Sequence, residues 1–274
     1  MPNWVTGRLT ISGENIENVI EKITTKTKYD ENEPESINLD FNKIIPMPKD
    51  LEIVAGSLTD RAVELYLTSL NPEVDYYGYE KLSKEEFDEL LNNVKKRHSF
   101  SKYESILTKE EIDKYIEMHA NDSDLKDYDN SLLEYGKHAV ENVKKYEHMD
   151  WYSWSIANWG TKWNACSTFY DEKRPNIITF DTAWSDVRDV IFEMSKMFPK
   201  NEFLYEWAEE QIGFYAGYVI FQDGNCKEMV DFDSYSKEAY ELSFDLIGCK
   251  DWFKYNEATG TYQPIEDESE GEME

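Results

Sequence analysis

The spacing of hydrophobic positions changes along this chain, and the changes divide it into regions. From Trp4 to Ser12 (Trp-Val-Thr-Gly-Arg-Leu-Thr-Ile-Ser) apolar and polar residues alternate, the two-residue period of a strand, and Gly13 ends the pattern. Ile16, Val19, Ile20 and Ile23 then recur at helical spacing, which predicts a short amphipathic helix within residues 15–26. Residues 27–36 read as a polar loop. Pro46 and Pro48 exclude regular helix from residues 40–48, because each removes a donor and restricts the residue before it. An extended segment at a sheet edge is expected there.

Between residues 58 and 150 the period is helical throughout. Leu58–Leu70 is one such run. Ser83-Lys84-Glu85-Glu86 and Thr108-Lys109-Glu110-Glu111 each carry the capping-box pattern, in which a hydroxyl and a carboxylate three residues on satisfy each other's backbone donors. A fourth helical stretch covers 130–147. Residues 58–150 are therefore read as a helical insertion that can form a module of its own.

After Asp150 strands are expected: 163–170 and 176–180, then, past a helix capped by Ser185 and stopped by Phe198-Pro199, 203–209, 214–222 and 226–232. Asp223-Gly224 is a hairpin signal between the last two, because both positions of a tight turn need positive φ. A final helix is expected within 235–248, and residues 264–274 read as a disordered acidic tail. This order predicts an α+β fold, a ferredoxin-like antiparallel sheet with helices on one face, interrupted by the insertion. The parts are 1–57, 58–150, 151–263 and the tail.

Charge changes the picture from architecture to partners. There are 57 acidic against 29 basic residues, a net −28. Residues 151–200 balance at 6 and 6, whereas residues 201–274 carry 19 acids against 4 bases. Such a field repels phosphate backbones and steers toward basic partners, which argues against direct nucleic-acid binding. Asp223, Glu228, Asp231, Asp233, Glu238, Glu241, Asp245 and Asp251, interspersed with Phe232, Tyr235, Tyr240, Phe244, Trp252 and Phe253, form the candidate partner-binding series. Carboxylates held on a rigid element can imitate duplex phosphates, and aromatic neighbours can anchor the contact. A solvated amphipathic helix with a solubilising tail explains the same residues.

Chemistry-bearing motifs are sparse. Trp151, Trp154, Trp159 and Trp163 lie close together, and Trp159, Lys162, Trp163 and Asn164 are a candidate ligand pocket; tryptophans packed against the sheet are the plainer reading. His98, His119, His138 and His148 lack metal-ligand spacing and read as surface or helix-packing residues. Cys166, Cys226 and Cys249 are read as buried thiols in a reducing cytoplasm. No phosphate loop, nucleophile elbow or paired-carboxylate signature is present, so no catalytic residue and no cofactor is assigned. Neither a signal peptide nor an apolar run of membrane-spanning length is visible.

Met1-Pro2-Asn3-Trp4, Phe41-Asn42-Lys43-Ile44-Ile45-Pro46-Met47-Pro48, Trp159 to Ala165, Phe180-Asp181-Thr182-Ala183-Trp184-Ser185 and Phe214-Tyr215-Ala216-Gly217, in that order, resemble the YubB-type family of phage- and plasmid-borne proteins with a ferredoxin-like C-terminal domain. Asp186-Val187 stands where that family usually has prolines, and the helical insertion is not covered. The resemblance implies a protein of a mobile genetic element. With the acidic C-terminal part it leads to the expectation of a phage-encoded inhibitor that sits in the basic channel of a host nucleic-acid-directed defence protein, a CRISPR effector or restriction nuclease, in the host cytoplasm. Two alternatives stay open: a small-molecule or nucleotide-binding enzyme using the tryptophan-rich segment, and a structural protein that self-assembles through the insertion.

Overall fold

The computed structural model describes residues 2–28, 35–74, 81–97, 107–171 and 173–265. Its elements, in chain order, are β1 (Trp4–Gly13), α1 (Ile16–Ile23), β2 (Thr24–Thr27), β3 (Ser36–Leu39), α2 (Ser57–Leu70), α3 (Lys84–Arg97), α4 (Lys109–His119), α5 (Leu132–Tyr146), α6 (Trp151–Trp159), β4 (Cys166–Tyr170), β5 (Ile177–Ala183), α7 (Arg188–Met197), β6 (Asn201–Glu209), β7 (Ala216–Gln222), β8 (Asn225–Asp231), α8 (Lys237–Leu246), β9 (Phe253–Asn256) and β10 (Thr261–Pro264). They form two compact units, one of Met1–Pro46 with Ser155–Glu274 and one of Met47–Trp154. The expected tail, apart from Pro264 and Ile265, lies outside the described residues, as do His98 and residues 29–34 of the expected polar loop.

The first unit is built on a six-stranded antiparallel sheet in the order β4-β5-β1-β6-β7-β8. The alternation seen in Trp4–Ser12 decides its core. Val5, Leu9 and Ile11 are buried on one face, while Thr6 and Arg8 stand on the other. β1 pairs antiparallel with both β5 and β6, and β4 pairs antiparallel with β5. β1 and β4 therefore run the same way with β5 between them, the split crossover of a ferredoxin-like fold. β7 and β8 extend that sheet by hairpins. The β7–β8 turn places Asp223 and Gly224 at φ 51° and 64°, both left-handed, as the dipeptide predicts.

α1 supplies Val19, Ile20 and Ile23 to the core, and α7 supplies Val190, Ile191 and Met194. Beneath them Phe180 stacks on Tyr205 with ring centroids 5.9 Å apart, and Tyr205 leans on Trp207 at 5.6 Å. α1 and α7 cover one face, as expected. α8 adds cover on the other: its Ala239 packs with Ala208 and Ala216, whose small side chains let the helix lie close to the strands. Leu242, Leu246 and Ile247 complete that contact.

Several elements depart from the sequence reading. Trp151–Trp159 is helix α6, with the Asp150 carboxylate accepting from the Ser153 N–H at its start, and strand structure begins only at Cys166. α7 starts at Arg188, whose N–H donates to Asp186; the Ser185 hydroxyl, expected as its cap, donates instead to the Gly160 carbonyl. Residues 41–43 form a 3-10 turn capped by the Asp40 carboxylate, which accepts from the Asn42 N–H, where extended chain was expected. The β2–β3 and β9–β10 pairs had no counterpart in the sequence reading.

In the second unit α2 and α5 cross closely. A Cβ on Gly136 would lie 2.0 Å from the Ala62 carbonyl oxygen, so only glycine permits this approach. Both capping boxes form: Ser83 with Glu86, and Thr108 with Glu111. The unit reaches back beyond residue 58 because Leu51 and Ile53 are buried and because His138 and Asn142 both hydrogen-bond the Asp50 carbonyl at 2.8 Å.

Candidate protein-interaction surface

The tryptophan-rich segment is engaged in structure. Trp159 is buried, donates through its indole N–H to the Ile45 carbonyl at 2.9 Å, and meets Phe41 edge-on. Asn164 Oδ1 accepts from the Phe41 N–H at 2.8 Å and the Ala165 N–H at 2.9 Å, while its amide nitrogen donates to Asp40 at 2.8 Å. Half-buried Trp163 stacks on Trp4, and Lys162 Nζ sits 4.3 Å from the Trp163 ring centroid and 5.5 Å from that of Trp184. The Asn164 side chain fastens the turn at residues 40–43 to the start of β4.

The acidic series is divided by the strand period. On β8, Asp231 points to the α7 face, where it meets Arg188; Glu228 points to the α8 face, where it accepts from the Tyr218 hydroxyl. Asp223 sits at the exposed hairpin tip. On α8, Glu238, Glu241 and Asp245 follow spacings of three and four and are exposed, which makes one stripe. Asp233 and Asp251 are exposed on either side of that helix in sequence.

Two members of the series are claimed by arginines. Arg8 is clamped between Glu206 at 2.8 Å and Asp245 at 2.6 Å, tying β1 to α8. The hydrogen bond to Glu206 outweighs burial and holds this guanidinium above its usual range. Arg188 joins Asp186 at 2.9 Å and Asp231 at 2.7 Å and lies over the Trp207 ring at 4.5 Å. Burial opposes its charge, but the bonds to the two aspartates prevail and raise it. The nearby Tyr215 hydroxyl donates to Asp186, and burial together with that carboxylate raises the phenol well above its ordinary range. Neither arginine was singled out by sequence reasoning, since an isolated Arg in a strand or helix carries no local signal of its distant partners.

Aromatic rings adjoin the acidic stripe. Tyr262 on β10 lies 5.8 Å from Tyr240 and 5.0 Å from Phe244, both on α8, and its hydroxyl donates to Glu241 at 3.3 Å. Tyr255 faces Tyr262 across the β9–β10 register at 5.2 Å. Tyr255, Tyr262 and their ribbon escaped the sequence reading; a Phe-Lys-Tyr-Asn run followed, across a turn ending in Gly260, by Thr-Tyr-Gln-Pro was the available signal.

Of the histidines, His138 Nε2 bonds the Asp50 carbonyl, His119 Nδ1 lies 3.5 Å from Asp122, and His148 is half-buried. Cys226, expected to be buried, is exposed because β8 is the edge strand; Cys166 and Cys249 are half-buried, and all three are free thiols. Among the described residues no cluster of His, Cys, Asp and Glu could hold a metal ion, and no helix is long and apolar enough to cross a membrane. A recess of about 160 Å³ lies on the α8 side of the sheet, lined by Arg8, Phe169, Asp171, Arg174, Thr179 and Asp245 among others.

A comparison with curated proteins gave no match. A crystal structure of a protein api92 from Yersinia pseudotuberculosis aligns over 85% of this chain and 98% of that one, at 11% sequence identity and a TM-score of 0.34. The segment from α6 to the residues after α8 gives the sequence-level likeness: residues 158–250 match the family model described as the ferredoxin-like domain in Api92-like protein.

Proposed function

We propose that this chain is a protein-binding inhibitor, carried by a phage or plasmid, that acts in the host cytoplasm on a nucleic-acid-directed defence protein such as a CRISPR effector or restriction nuclease. The observation that carries the reading is the exposed carboxylate stripe of α8. Glu238 and Glu241 are separated by about 4.5 Å along the helix axis, comparable with one charge per ~3.4 Å of axis on a DNA strand, while Asp245, one turn on, is paired with Arg8. Asp233 and Asp251, exposed shortly before and after that helix in the chain, add to its acidity. A rigid carboxylate array next to aromatic rings suits a basic protein channel better than a small substrate. The filled, hydrogen-bonded tryptophan segment weighs against the enzymatic alternative.

The test titrates the purified chain into DNA-cleavage reactions of a Cas9-type effector and of a restriction nuclease. Inhibition is expected for at least one, relieved by excess non-specific duplex DNA and by raised salt. The variant Asp233→Asn/Glu238→Gln/Glu241→Gln/Asp251→Asn should lose it, while Asp231 and Asp245 are left intact because they neutralise arginines. Inhibition unchanged in that variant, or none with either enzyme, overturns the reading.

A further inference from the structure

Beside the α8 stripe the protein leaves large aromatic surface in solvent. Trp252 is 68% exposed, Tyr235 and Tyr255 43% each, and Phe214 42%. Most of these rings are linked. Phe214 lies 5.9 Å from Tyr235, Tyr235 6.2 Å from Tyr240, and Tyr240 5.8 Å from Tyr262, which in turn faces Tyr255. The Thr261 hydroxyl bonds the Tyr235 carbonyl, which ties the β9–β10 ribbon to the segment before α8, and the Ile265 N–H bonds the Trp252 carbonyl at 2.8 Å, which continues the pairing of the two strands. Exposed aromatic surface held this firmly marks a contact site.

The chemistry of the occupant is visible in the protein itself. Lys237 Nζ lies 5.5 Å from the Tyr255 ring centroid and 3.7 Å from Glu241, so the notch between ring and carboxylate already accepts a cation. Arg188, over Trp207 and between two aspartates, shows the fuller form of the same arrangement. A guanidinium stacks on a ring and forks to a carboxylate at once, whereas an ammonium is a compact, strongly hydrated charge. We propose that the face formed by Tyr235, Tyr255 and Tyr262 receives arginine side chains of a basic partner and discriminates them from lysine. This rests on the proposed function for the surface being a protein contact, and it names what that contact reads.

The experiment measures binding of fluorescently labelled oligo-arginine and oligo-lysine peptides of equal length to the full chain by anisotropy, at fixed salt. Oligo-arginine should bind on the order of tenfold tighter, because each guanidinium can stack on a ring while bonding a carboxylate. Tyr255→Ser and Tyr235→Ser change exposed rings, so the fold, checked by circular dichroism, should persist. Each should weaken oligo-arginine several-fold and leave oligo-lysine unchanged. Equal affinity for the two peptides, or wild-type binding by both variants, overturns the inference. So does a concentration-dependent dimer abolished by Tyr255→Ser, which would make the face a self-contact. Arginine discrimination without nuclease inhibition would sink the proposed function and leave this inference standing; inhibition without discrimination does the reverse.

Discussion

Arg188 donates to the carboxylate of Asp186, two residues before it, and to that of Asp231, on the edge strand β8. Asp186 is nearly enclosed, with 6% of its side chain exposed, against 25% for Arg188. Removing the cation leaves a buried carboxylate whose remaining donors, among the described residues, are the Tyr215 hydroxyl and the backbone N–H of residue 188. Arg188→Met should therefore cost about 2–4 kcal/mol, somewhat less than a fully buried pair because the arginine is partly solvated. Arg188→Lys should recover only part, since it loses the fork and the stacking on Trp207. Urea denaturation of the three proteins checks this, and a loss below the scatter of the method would refute the clamp.

Asn164 joins the turn at residues 40–43 to the start of β4, and its amide donates to Asp40. Asn164→Asp keeps the two accepting bonds and turns the third into a contact between carboxylates. The variant should be about 1–3 kcal/mol less stable at neutral pH. The new carboxyl is raised beside Asp40, so the deficit grows as pH rises through its titration and shrinks in acid, where it is protonated and donates as the amide did. A deficit independent of pH relative to wild type would contradict the geometry.

Gly136 looks like a weak point of α5, because glycine costs a helix interior ~1 kcal/mol relative to alanine. Gly136→Ala should nonetheless destabilise by about 1–3 kcal/mol, since the added Cβ collides with the Ala62 backbone. A thermal melt showing the variant at or above wild type would mean that α2 and α5 separate at little cost.

Asp50 accepts from the Tyr146 hydroxyl at 2.7 Å and the Lys145 ammonium at 3.0 Å, which together hold its carboxyl below the ordinary carboxylate range. A depressed folded value means that its contribution is present above the unfolded titration and lost as pH falls through the folded one. Carboxyl NMR titration should place Asp50 at the acidic end of the aspartates, and Tyr146→Phe should move it up. An Asp50 that titrates among the exposed aspartates and ignores Tyr146→Phe would disprove the bond.

The sequence by itself determined what depends on neighbours along the chain. Alternation in Trp4–Ser12, helical spacing in α1, α5 and α7, two capping boxes and the Asp223-Gly224 turn were legible because a strand, a helix and a tight turn are specified within a few residues. The net acidity of residues 201–274 was equally plain. Tertiary structure decided what depends on distant pairs. It placed α8 on the second face through the small residues Ala208 and Ala216, and sent Asp231 and Asp245 to arginines on other elements. It also gathered rings from β10 and α8 beside Glu241. A run of carboxylates reads as one surface along the chain, but the two-residue period of β8 turns successive side chains to opposite faces. Which acids remain exposed for a partner is settled only when sheet and helix have packed.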